Sequence, residues 1–332
     1  TVNATTTAAI AGGAGSDTVV LAAANAAVAN LSSIANSAIF KDKVTGFEKL
    51  EITNAIAAAT TVNVGNLGYN YVITAADASN VLTLADMANN GTVELNAAET
   101  ASTDEVIVQV KDAATNNADV LNVVLNVNGD VDNGTLTVAN VETIKITATD
   151  STPVNTNTGA ATINTSDFIL AATSAKTVTI TGNAHLDLDM TGNTAATLID
   201  ASTMTGDLTV TAYNSGMTVK GGAGNDTLSV VGAKSGVVLT GGKGTDTFDV
   251  SAFNSLGNAG SAVTITDLTA GETIQFADAN KFVSSKVTLI AESTLTEYVA
   301  EAAKVAKDAG AGNNISWFQF NNNTFAVQDM DG

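Results

Sequence analysis

Short runs in which Val, Ile, Leu and Thr alternate with polar residues recur along the chain. They stand at 48–53 (EKLEIT), 104–110 (DEVIVQV), 120–127 (VLNVVLNV), 142–147 (ETIKIT) and 176–181 (KTVTIT), bounded by Gly, Asn and Asp. Alternation puts the apolar set on one face of an extended segment, so each run predicts a half-buried β-strand. From residue 178 onward the strand centres fall at Ile180, Leu188, Ile199, Val210, Val219, Val230, Val238 and Val250, a spacing of about 8 to 12 residues. Two strands then make a coil of about twenty residues, and stacked coils bury one continuous internal row. The pattern predicts an all-β chain folded as a right-handed parallel β-solenoid or β-roll; a globular sandwich of short strands is the competing arrangement. One short helix is predicted near the C-terminus, in 294–312: Leu295, Val299 and Ala302 or Ala303 share a face, Thr294 can cap it and Gly310 stops it.

Two longer-range features bear on organisation. Residues 44–53 (VTGFEKLEIT) align with 138–147 (VANVETIKIT), matching Val44 to Val138, Glu48 to Glu142, Ile52 to Ile146 and Thr53 to Thr147, which predicts a duplicated larger unit. The one proline, Pro153, sits among Thr and Asn and marks a loop or linker. The uncharged stretch 22–40 is long enough to span a bilayer, but it is mostly Ala and contains Asn25, Asn30, Asn36 and three serines. It reads as a surface helix or loop, and no membrane insertion is expected.

Composition narrows the functions. With 332 residues, 45% apolar and 14% charged, the chain can bury a large core. Its 13 basic residues are all Lys, against 33 acidic ones, for a net charge of −20. Nucleic acids and anionic membranes need clustered positive charge and are excluded as partners, whereas divalent cations are favoured. Cys is absent and His185 is the one histidine, so disulfides, thiolate sites and an H-E-x-x-H protease motif are ruled out. Nothing resembles a nucleophile elbow, so the chain is not expected to be an enzyme. Thr1 follows no leader pattern and reads as an interior position of a longer chain.

The strongest chemical signal is a glycine turn written almost identically at 221–229 (GGAGNDTLS) and 241–249 (GGKGTDTFD), with a third copy at 12–20 (GGAGSDTVV). Starts one coil apart place the first two turns on one edge, stacked about 4.8 Å apart. Gly221, Gly222, Gly224, Gly241, Gly242 and Gly244 permit backbone conformations that turn carbonyls inward, and Asp226 and Asp246 each add a carboxylate. Many hard oxygen ligands without thiolate or imidazole describe Ca²⁺. Gly12, Gly13, Gly15 and Asp17 offer the same set, but no partner turn follows one coil later, so their stacking neighbour is expected upstream of Thr1 or from elsewhere. The opposite edge, 231–236 (VGAKSG), carries Lys234 and no Asp, so no ion is expected there. In 128–134 (NGDVDNG), Asn128, Asp130 and Asp132 alternate like the start of an EF-hand, with Asn133 in place of its glycine; a hairpin turn is the other reading. Asp130 and Asp132 remain candidate ligands. Asp187 and Asp189 alternate on a strand face, as solvated carboxylates or as a metal-binding pair, and 329–332 (DMDG) could begin another calcium loop.

The repeated turn resembles the RTX nonapeptide, Gly-Gly-x-Gly-x-Asp-x-U-x with U apolar, a Ca²⁺-binding repeat. Residues 197–228 resemble the approach to such repeats in surface-layer (S-layer) proteins of Gram-negative bacteria, and 44–53 resembles a recurring segment of those proteins. Residues 261–276 (SAVTITDLTAGETIQF) and 317–332 (WFQFNNNTFAVQDMDG) resemble the cap before an uncleaved type I secretion signal, with Gly332 standing before that signal is complete. The family often has Asp where Glu272 stands, which adds Asp267 and Glu272 to the candidate ligands. The resemblance implies a β-rich solenoid-like region at 1–150, solenoid coils at 151–210, a calcium β-roll at 211–260 and a cap at 261–332. It also implies a secreted, extracellular structural protein of a Gram-negative cell surface that folds on Ca²⁺ binding. Its partners would be other copies of itself in a lattice or homo-oligomer, the type I secretion machinery, and cell-surface polysaccharide through upstream regions. An RTX adhesin, or the non-catalytic calcium-binding part of a secreted toxin or hydrolase, is the alternative.

Overall fold

The computed structural model describes residues 9–21, 31–52, 58–74, 80–96, 105–151, 154–155, 161–232, 234–253, 262–277 and 279–328. Two parallel sheets, one of eleven strands and one of ten, account for most of them. From Lys49–Ile52 to Thr273–Gln275 successive strands fall alternately in the first sheet and the second, interrupted only by a short antiparallel ladder between Val154–Asn155 and Ala161–Thr162. Each pair of strands is one coil of a parallel β-solenoid, and the sandwich alternative is excluded because every ladder within the two large sheets is parallel.

The alternation of the sequence becomes a stack of like on like. In the first sheet Ile199, Val219 and Leu239 lie in register. In the second, Val210, Leu228 and Phe248 do the same. All six are buried between the sheets. Each coil leaves one apolar face uncovered until the next coil closes on it, so burial of this row holds neighbouring coils together. The stacking of Phe248 on Leu228 also sets the local phase. Val237 and Leu239 point inward while Val238 faces outward, and the strand Thr247–Asp249 ends before Val250.

The turn at 128–130 is a solenoid corner and not a hairpin. It joins Val120–Val127 of the first sheet to Val131–Val138 of the second, and buried Val127 and Val131 continue the internal rows on either side of it. Both large sheets run on through residues 150 and 210. Helix α1, Ile34–Lys43, covers part of the uncharged stretch, tucking Phe40 inward and leaving Ile34 and Ile39 exposed; residues 22–30 and Pro153 lie outside the described residues. A second, one-turn helix, α2 (Val64–Leu67), forms a corner. No helix among the described residues is long and apolar enough to cross a membrane.

Past the last coil, helix α3 (Leu295–Asp308) packs on a three-stranded sheet of Ala279–Phe282, Asn313–Phe320 and Asn323–Gln328. Thr294 caps α3 through a reciprocal box with Glu297. Tyr298 and Phe325 both stack with Phe318, at 5.2 and 4.9 Å between ring centres. The two antiparallel strands turn at Asn321 and Asn322, both at positive φ (48° and 63°), the conformation a tight hairpin requires.

Candidate metal centre

Each of the C-terminal glycine turns carries the chain from the first sheet to the second: 221–226 joins Thr218–Lys220 to Thr227–Val230, and 241–246 joins Val237–Thr240 to Thr247–Asp249. They stack directly. The Gly221 N–H donates to the Thr240 carbonyl (2.8 Å), Lys243 N–H to that of Gly222 (2.9 Å), and Thr247 N–H to that of Asp226 (2.8 Å).

Acidic side chains stitch the same edge. Asp226 N–H donates to Asp246 Oδ1 (2.8 Å), and Leu208 N–H to Asp226 Oδ1 (2.7 Å), so each Asp caps the coil before it. Asp226 Oδ2 accepts from Gly222 N–H (2.7 Å). Asp267 closes the series, accepting from the Gly241 and Gly242 N–H groups at 2.9 and 2.8 Å. Asp246 is 0% exposed, and its Oδ2 is buried with no hydrogen-bond partner. Glu272 occupies Asp246's place one coil on, because Thr273 pairs with Thr247.

The glycines are required for two different reasons. Gly242 and Gly244 adopt φ of 104° and 122°, which a side chain resists. Gly222 and Gly224 lie outside that region, contrary to the expectation from sequence. What excludes a side chain there is crowding: an added Cβ would strike the Met204 carbonyl at Gly222 and the Gly206 carbonyl at Gly224. A Cβ on Gly221 would strike Asp226 Oδ2 and the Gly241 carbonyl, and one on Gly241 would strike Asp246 Oδ2. The cleared space is lined by oxygen.

These carboxyl groups are strained electrostatically. Burial pushes Asp226 up to about 6; two backbone N–H groups oppose this, and the charges of Asp246 and Asp207 add to it. Burial also raises Asp246, aided by Glu272, Asp267 and Asp207 and opposed by its bond from the Asp226 N–H. Buried anions facing one another with an unpaired oxygen are costly unless a cation compensates them. Among the described residues no three acidic or imidazole side chains converge on one point, so a cation here must draw much of its coordination from carbonyls. That mixture fits Ca²⁺ and not Zn²⁺.

The N-terminal copy has a stacking neighbour within the chain, at residues 45–48. It enters the first sheet, where Thr18–Leu21 pairs with Lys49–Ile52, so its turn lies on the opposite edge from the other two. It stacks on residues 45–48: Gly12 N–H donates to the Thr45 carbonyl (3.0 Å), and Asp17 N–H to Glu48 Oε2 (2.8 Å). Gly13 and Gly15 adopt φ of 107° and 124°, and Asp17 Oδ2 is buried and unpartnered like Asp246 Oδ2. Glu48 was visible in the sequence as part of the 44–53 echo, but its coil is 31 residues long and carries no glycine signature.

Asp130 and Asp132 do not join the glycine turns. Asp130 accepts from Thr165 N–H (2.9 Å) and Asp132 from Gly134 N–H (2.8 Å). Asp132 instead heads a file on the outer face of the second sheet, in register with Asp167 and then Asp187. Burial and then acidic neighbours raise both of the latter. On the edge at 231–236, Ser235 N–H donates to Ser215 Oγ (3.2 Å) and Lys234 N–H to the Gly232 carbonyl (3.0 Å). Residues 329–332 lie outside the described residues. No family model matches the chain, and a comparison with curated proteins found no match.

Proposed function

We propose that this is a secreted calcium-binding structural protein whose coils close when Ca²⁺ enters the stacked glycine turns, and which assembles with copies of itself into a bacterial surface layer. The observation that carries the proposal is the buried, unpartnered Oδ2 of Asp246, packed against Gly241 where no side chain would fit and among acids whose charge a cation would offset. A net charge of −20 opposes compaction until cations neutralise it. Extracellular calcium modules have dissociation constants of about 10⁻⁴ to 10⁻³ M, so such coils stay open in a cytosol and close outside the cell. Ligands assembled only in the folded chain couple binding to folding.

Circular dichroism with chelator against millimolar calcium tests the folding step: the parallel-β signal and melting temperature rise with calcium, and Asp246→Ala but not Lys234→Ala weakens the response. An unchanged spectrum and melting temperature would overturn the calcium reading. Electron microscopy of the calcium-loaded protein tests assembly, with ordered sheets expected. A folded protein that stays monomeric would leave an adhesin or passenger role.

A further inference from the structure

Among the described residues four buried side-chain oxygens or nitrogens lack a hydrogen-bond partner: Oδ2 of Asp17, Asp119 and Asp246, and Oδ1 of Asn314. The three Asp oxygens share one setting. The carbonyl of each Asp accepts from the residue that follows a Glu of the next coil: Lys49 after Glu48 for Asp17 (3.1 Å), Thr143 after Glu142 for Asp119 (3.0 Å), and Thr273 after Glu272 for Asp246 (2.9 Å). Asp17 and Asp119 also donate their N–H to the carboxylate of that Glu, at 2.8 and 3.1 Å. Asp17 and Asp246 belong to glycine nonapeptides. Asp119 does not, and nothing in its sequence neighbourhood resembles one.

We propose that Asp119 and Glu142 form a further divalent-cation site, for calcium, on the solenoid edge opposite the C-terminal glycine turns. Asp119 is 0% exposed. Its Oδ1 is engaged by Asn116 Nδ2 (2.8 Å), which leaves Oδ2 free. No lysine forms an ion pair with it among the described residues. The 111–119 turn joins Glu105–Val110 of the second sheet to Val120–Val127 of the first, and Asp112 within it adopts a positive φ of 57°. A buried carboxylate with one oxygen unpaired, whose own backbone N–H is bonded to a second carboxylate, calls for positive charge. Hard oxygen donors select calcium over softer-ligand metals. The pairing also explains the sequence echo, since its matched residues Glu48 and Glu142 occupy the same place beside Asp17 and Asp119.

The inference rests on reading the orphaned Asp oxygens of the glycine turns as calcium ligands, and the test separates the two. Calcium bound per chain is counted by atomic emission after equilibrium dialysis of the full chain, for the wild type and for Asp119→Asn, Glu142→Gln, Asp246→Asn and the Asp119→Asn/Asp246→Asn double variant, each checked for folding by circular dichroism. Asp119→Asn and Glu142→Gln should each lose about one ion, and the double variant should lose that ion in addition to those lost by Asp246→Asn. If Asp119→Asn does not fold, Glu142→Gln, whose side chain is only half-buried, decides alone. Loss of calcium in Asp246→Asn with none in Asp119→Asn or Glu142→Gln overturns this site and leaves the glycine turns standing. A wild type that binds no calcium overturns both.

Discussion

At Asp226 two opposing influences act on one carboxyl group. Backbone N–H groups of Gly222 and Leu208 favour its anion, while burial and the neighbouring acids favour its neutral form, and burial prevails to set it at about 6. In chelated protein the folded-state value therefore lies above the ordinary 3.8 of the unfolded chain. The stability this group contributes is complete below about 3.8, and is lost as pH rises through about 6. Chelated protein should accordingly melt higher at pH 5 than at pH 7.5. Under the proposed calcium binding the preference reverses, because the ion would bind the anion: affinity should be weaker at pH 5, and binding at pH 6 should release protons into weakly buffered solution. Calorimetry at the two pH values measures both effects. Equal melting temperatures without calcium would show that Asp226 is not held in this environment.

The elements owe their stability to stacking more than to pairing within a coil. Leu228 lies in register between Val210 and Phe248 and is fully buried. Leu228→Ala should cost about 2 to 5 kcal/mol, the range for a large-to-small change in a packed core, measured by denaturation with calcium present. Gly241→Ala tests the turn rather than the row. Its added methyl meets Asp246 Oδ2, so calcium affinity should fall sharply while strand content is kept. A larger loss of strand structure from Gly241→Ala than from Leu228→Ala would mean that the turns, not the apolar rows, hold the coils together.

Across the whole molecule, the proposed calcium binding has two settings, the stacked turns and the surface acids. The file of Asp132, Asp167 and Asp187 is outward-facing, so ions there can bridge neighbouring molecules, whereas monovalent salt only screens charge beyond a Debye length of about 10 Å at 0.1 M. Light scattering should rise during calcium titration and stay flat with sodium at matched ionic strength. Scattering that rises equally with both would point to simple charge screening.

Alternation and glycine spacing determined the strand faces, the solenoid and the stacked turns at 221–226 and 241–246, because where coils keep a constant length the neighbour across a coil can be counted along the chain. Helix α3 was legible too, from its apolar spacing and the Thr294 cap. The partner of Asp17, the file through Asp167, and the pairing of Asp119 with Glu142 were decided by tertiary structure alone. Across those sites the coil-to-coil interval varies, from 20 residues between Asp167 and Asp187 to 35 between Asp132 and Asp167. When loop lengths differ, the stacking of apolar rows chooses the register, and burial then decides which carboxylate oxygen is left without a partner; neither can be counted from spacing.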